Sequence, residues 1–148
     1  MKRIISNQCI AALVVALFSG GVFADFSGSQ PAGLISWWPG EDNAYDTVGA
    51  NDGILNGDFA FVPGHVGQGF YISGTGEDYV EVLNDPSLEP AELTVSAWLG
   101  ADVSPGVYGY ALAKGARECD TSSYGLYTGG DGGISFYVSN DAGVFVSG

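Results

Sequence analysis

The stretch Leu-Thr-Val-Ser-Ala-Trp-Leu at residues 93–99 alternates aliphatic side chains with polar or aromatic ones at every position. A β-strand turns successive side chains to opposite faces. Leu93, Val95, Ala97 and Leu99 therefore share one face, and Thr94, Ser96 and Trp98 share the other. The same period of two recurs at 79–82, where Val80 and Val82 oppose Tyr79 and Glu81. It recurs again at 134–139, where Ile134, Phe136 and Val138 oppose Ser135, Tyr137 and Ser139. No stretch sustains the period of an amphipathic helix. Each strand thus offers one aliphatic face and one that mixes aromatics with small polar groups.

Working outward, β-type runs are expected at 34–38, 59–62, 70–73, 79–82, 93–99, 110–114, 124–128, 134–138 and 144–146. Gly, Asn, Asp or Pro breaks them at intervals of roughly 8 to 12 residues, the spacing of an antiparallel sandwich or barrel. Glycine fills 24 of 148 positions, well above the usual share of about 7%, and has no collagen period, so it implies many tight turns. Two sheets packed on their aliphatic faces make a core about 10 Å thick and leave a second face open. That face is expected to carry Trp98 and Tyr137. Trp37 or Trp38 joins them, because neighbours on a strand cannot both face the core. Flat rings flanked by short polar groups suit a glycan, whose C–H faces stack while its hydroxyls hydrogen-bond. The alternative is a second layer of packing.

The ends bound the setting. Lys2 and Arg3, the apolar run at 10–18 and the small-x-small motif Val22-Phe23-Ala24 predict a signal peptide over 1–24, a lead-in over 25–32 and one domain over 33–148. The apolar run is too short to span a bilayer, so no membrane insertion is expected after cleavage. The product is secreted, periplasmic or held at the cell surface. Removing 24 residues leaves two cations, Lys114 and Arg117, against 17 acidic residues, a net charge of −15. Such a balance repels nucleic acid and anionic lipid. Cys119 is then the single remaining cysteine, which predicts a disulfide partner outside this sequence. The final run, Gly-Val-Phe-Val-Ser-Gly, stops on a strand or its turn. That predicts a domain truncated at its C-terminus.

The loop after Trp38 concentrates Glu41, Asp42, Asp46, Asn51 and Asp52 with no cation. Calcium takes about six to eight oxygens from such groups, so these five residues are candidate ligands of a structural calcium. The spacing is not that of an EF-hand. Equally, Asn and Asp beside Gly49 and Gly53 are turn formers. Catalysis is not expected. Retaining glycosidases need two carboxyls about 5 Å apart on one surface. In Glu77-Asp78-Tyr79-Val80-Glu81 the middle position is a tyrosine, and His65, the one histidine, has no nucleophile near it in sequence.

Four phrases, GLISWWPGEDNAYDTVGANDGILNG at 33–57, FVPGHVGQGFYISGTGEDYVEV at 61–82, DPSLEPAELTVSAWLGAD at 85–102 and ALAKG at 111–115, together resemble the laminin G-like jelly-roll domains of the concanavalin A-like lectin/glucanase superfamily. The resemblance covers roughly 33–138 and rests on the order and spacing of the phrases. It implies an all-β antiparallel jelly-roll β-sandwich, serving as a non-catalytic binding or adhesion module that recognises carbohydrate or an extracellular protein partner. It also implies a structural calcium in many members, and it makes Glu41 the first choice of ligand, at the acidic position after the Trp-Pro strand. The chain departs from the pattern at His65, where a lysine or similar residue is common, at Glu41, where aspartate is usual, and in lacking closing strands. A structural spacer without a ligand and, further off, a glycoside hydrolase are the alternative readings.

Overall fold

The computed structural model describes residues 9–12, 30–72, 78–101, 109–115, 123–128, 133–139 and 145–147. Its strands are β1 (Cys9–Ala12), β2 (Gly53–Asn56), β3 (Ala60–Pro63), β4 (Gln68–Ile72), β5 (Tyr79–Val82), β6 (Trp98–Gly100), β7 (Tyr110–Lys114), β8 (Ser123–Thr128), β9 (Ile134–Ser139) and β10 (Phe145–Ser147). Among the described residues the one helical element is a 3-10 turn, Pro86–Leu88, capped by the Asp85 carboxylate, which accepts the Ser87 N–H. The fold is therefore all-β, as the alternation predicts. Every strand pair is antiparallel.

Among the described residues three sheets form, with strand orders β3-β4-β1-β6, β10-β9-β8-β7 and β2-β5. The core gathers Trp38, Ala44, Phe70 and Leu88, with Phe61, Val80, Val82, Leu93, Val95 and Leu112 half-buried against them. Side chains from all three sheets thus meet in one cluster. Val80 and Val82 of the 79–82 alternation and Leu93 and Val95 of the 93–99 alternation pack against it, and Trp98 points out, 54% exposed. The tryptophan pair divides as well: Trp38 is buried at 5% and Trp37 is only half-buried.

Three sequence expectations need correction. The run at 34–38 joins no ladder, because its polar groups are taken by the acidic loop: Trp37 N–H donates to Asp46, and its carbonyl accepts from Thr47 N–H at 2.9 Å. The strand at 93–99 shrinks to β6, since its ladder partner β1 is only four residues long and reaches Trp98–Gly100 alone. Residues 9–12, read as part of an export signal without a place in the fold, form a strand between β4 and β6. The chemistry allows this: the run Cys-Ile-Ala-Ala carries no charge and no proline, so its backbone can bond to a neighbour on each side.

The face of β9 is also reversed. Tyr137 is buried at 4% and Ser139 at 3%, whereas Ile134 is 55% exposed and Val138 36%. Aromatic packing explains the choice. Gly125 stands directly across the ladder from Tyr137, and a Cβ on Gly125 would lie 2.5 Å from the Tyr137 ring, so the ring lies on the glycine. Tyr127 and Tyr110 close around it, with ring centroids at 5.8 and 6.4 Å. Cys119 and the Lys2, Arg3 and Val22-Phe23-Ala24 features of the expected leader lie outside the described residues.

Candidate functional site

Asp46 organises the acidic loop from its centre. Its Oδ1 accepts the N–H groups of Trp37 at 2.9 Å, Val48 at 3.0 Å and Gly49 at 2.9 Å, and its Oδ2 accepts that of Asn51 at 3.1 Å. Burial opposes the charged form, but the N–H donors of Gly49, Trp37 and Val48 and the Ser36 hydroxyl outweigh it and hold the carboxyl below the usual aspartate range. Asp52 Oδ1 accepts Asp46 N–H at 2.9 Å. Asn51 donates from Nδ2 to Ser36 Oγ at 2.7 Å and to Ser87 Oγ at 3.1 Å, while its carbonyl accepts Trp38 Nε1–H at 2.7 Å. A carboxylate offers about four acceptor positions; three backbone donors crowd Oδ1 of Asp46 and one reaches Oδ2. These bonds give Asp46 the geometry of a turn former. Among the described residues no group of three or more His, Cys, Asp or Glu side chains stands where it could hold a metal ion.

Glu41 and Asp42 belong to a different neighbourhood. Gly40, at φ +77°, carries the chain over β4 so closely that a Cβ there would stand 3.2 Å from the Gly69 Cα. This close approach delivers Glu41 to the turn between β3 and β4, where its Oε1 accepts Gln68 N–H at 3.1 Å. Pro63 and Gln68 close that hairpin, and Gly64 N–H donates to Gly67 O at 2.9 Å inside it. Asp42 is exposed and held at φ 57°, a left-handed backbone that aspartate tolerates better than most residues.

The same turn presents His65. Its ring stacks on Trp98 with centroids 3.9 Å apart and planes 28° from parallel. Trp98 remains 54% exposed, and the neighbouring Val66 is 78% exposed. The turn thus carries a flat, solvent-facing aromatic pair and, through Gln68, a carboxylate that keeps acceptor positions free of the Gln68 bond. Trp98 and Glu41, expected in separate roles as ligand-binding residue and metal ligand, both meet one four-residue turn.

The chain matches no family model, and no curated protein or solved structure matches it. The site therefore rests on its own geometry.

Tyr137, the other expected ligand-binding residue, is not on this surface. Its ring packs inside the tyrosine cluster over Gly125. His65 is the residue that sequence reasoning passed over as a member of the stack. It stands far from Trp98 along the chain, and no spacing rule pairs a hairpin turn with the start of a distant strand.

Proposed function

We propose that this chain is an exported, non-catalytic recognition module with a laminin G-like jelly-roll sandwich, and that it binds carbohydrate on the His65–Trp98 pair. The observation that carries the reading is the exposed stack itself, with centroids 3.9 Å apart. Large aromatics that are half open to water and braced from one side offer a rigid surface at little entropic cost. A pyranose C–H face lies against the open side of the indole, and the Glu41 carboxylate accepts a sugar hydroxyl. Antiparallel sheets agree with the resemblance of 33–138 to jelly-roll domains. Export agrees with the leader-like features of 1–24 and with a strongly acidic body.

Binding to a panel of immobilised polysaccharides tests this, with Trp98→Ala and His65→Ala beside the parent chain. Both variants should lose about fivefold or more in affinity, taking the about 1–3 kcal/mol of a base stacked on an aromatic as the guide, and should melt within a few degrees of the parent. Retention of no polysaccharide by the parent, or equal binding by Trp98→Ala, would leave the spacer reading in its place. Release of reducing ends would move the protein to the glycoside hydrolases.

A further inference from the structure

β1 is flanked on both sides. Cys9, Ile10 and Ala11 pair with Ile72, Tyr71 and Phe70 of β4, and Ile10, Ala11 and Ala12 pair with Gly100, Leu99 and Trp98 of β6. Adjacent strands stand about 4.8 Å apart, so β4 and β6 are separated by about 9.6 Å and cannot bond to each other directly. Without β1 both would present unpaired backbone groups, and the opening would run alongside Phe70, which is 1% exposed at the centre of the core. An empty lane at that place is expensive twice over, in bare ladder groups and in wetted core.

The same residues lie inside 1–24, the segment read as an export leader, so cleavage after Ala24 removes the strand that completes this sheet. We propose that the lane between β4 and β6 is a strand-acceptor site: the leader holds it in the precursor, and an extended peptide of matching chemistry occupies it after cleavage. This rests on the reading of 1–24 as a cleaved leader. The lining specifies the occupant. Phe70, Tyr71 and Ile72 on one side and Trp98, Leu99 and Gly100 on the other carry no charge, so the paired stretch is uncharged over about four residues and runs antiparallel to both neighbours. The position level with Phe70 and Leu99 lies on the core side of the sheet and takes an apolar residue. The body beyond residue 24 carries −15, and the natural occupant is preceded by Lys2 and Arg3. A cationic flank therefore belongs to the occupant, and the same charge sets two acidic copies of this chain against each other.

The test uses the full chain with a specific protease site inserted between Ala24 and Asp25. After folding and cutting, a fluorescent peptide of residues 2–14 carrying Cys9→Ser is added. The cut leader should stay bound at first and then exchange for the labelled peptide. Amides of 68–72 and 98–100 should stay protected from hydrogen exchange while the lane is filled. A peptide that also carries Ile10→Pro should bind at least tenfold more weakly, because every N–H of a strand flanked on both sides serves one neighbour or the other. Three results overturn the proposal: the leader departs on cutting while those amides stay protected, the proline peptide exchanges equally well, or the cut protein dimerises and takes up no peptide, which would give the lane to a second copy. The intact mass of the exported product separately decides whether cleavage after Ala24 occurs, so a failure of the leader reading is told apart from a failure of the lane.

Discussion

The Oδ1 atom of Asp46 accepts the backbone N–H of Trp37 at 2.9 Å, and through it one carboxylate joins the start of the domain to the loop that follows. Four backbone donors converge on that side chain. Asp46→Ala leaves them without their acceptor, and a charge-assisted bond or an orphaned buried donor is each worth about 1–3 kcal/mol. The losses share one desolvated site and do not add fully. A destabilisation of about 3 kcal/mol is expected in urea unfolding, with Asp46→Asn intermediate because it keeps one acceptor oxygen.

Acid should weaken the fold through the same group. The folded carboxyl sits below its ordinary value, so the unfolded chain binds the proton more readily and stability falls as pH falls. The contribution is complete above about pH 4, the range of an unfolded aspartate, and is lost as pH descends through the lower folded value. Urea midpoints between pH 5 and pH 2 should drop more steeply for the parent than for Asp46→Ala. Parallel curves would contradict this assignment.

Calcium should leave the melting temperature where it is. Asp46 is already engaged by four backbone N–H groups and Glu41 is bonded to Gln68 N–H at another turn, so the acidic loop is held by its own hydrogen bonds. A ligand that binds only the folded state at 100 times its dissociation constant stabilises by about 2.7 kcal/mol. Calorimetry with millimolar calcium against chelator would reveal such a shift, and its appearance would restore Glu41, Asp42 and Asp52 as ligands.

The reversed face of β9 separates two substitutions three residues apart. Tyr137→Ala removes a ring buried to 4% exposure and should cost about 3–5 kcal/mol, as for other large aromatics in packed interiors. Ile134→Thr, at 55% exposure, should change stability by less than about 0.5 kcal/mol. Gly125→Ala should resemble Tyr137→Ala, since the added methyl meets the tyrosine ring. Equal effects at 134 and 137 would restore the face that the alternation alone suggests.

Period-two alternation located β5 and β7 to the residue and most other strands to within one or two. It also placed Val80, Val82, Leu93 and Val95 toward the core and Trp98 toward water. It failed where each face of a strand carries an aromatic ring. In β9, Phe136 and Tyr137 compete for the interior, and the contest is decided by Gly125 on the neighbouring strand, which local pattern does not reveal. The run at 34–38 misled for another reason: its sequence is strand-like, but its hydrogen bonds go to side chains of a loop. β2 escaped notice because Ile54 and Leu55 sit between turn-forming residues and stay largely exposed, at 48% and 38%. Of the candidate site, Trp98 and Glu41 were legible individually. Their meeting at one turn depends on the Gly40 crossing, a tertiary contact.

Asn51 has a bearing on the order in which the chain acquires its shape. Its amide reaches Ser36 across 15 residues and Ser87 across 36, so the acidic loop is completed only when the Pro86–Leu88 turn has arrived. Contacts of such separation are made late, because the intervening chain must first give up its freedom. The loop is therefore a closing latch on the folding route, and its amides should be among the last to gain protection during refolding.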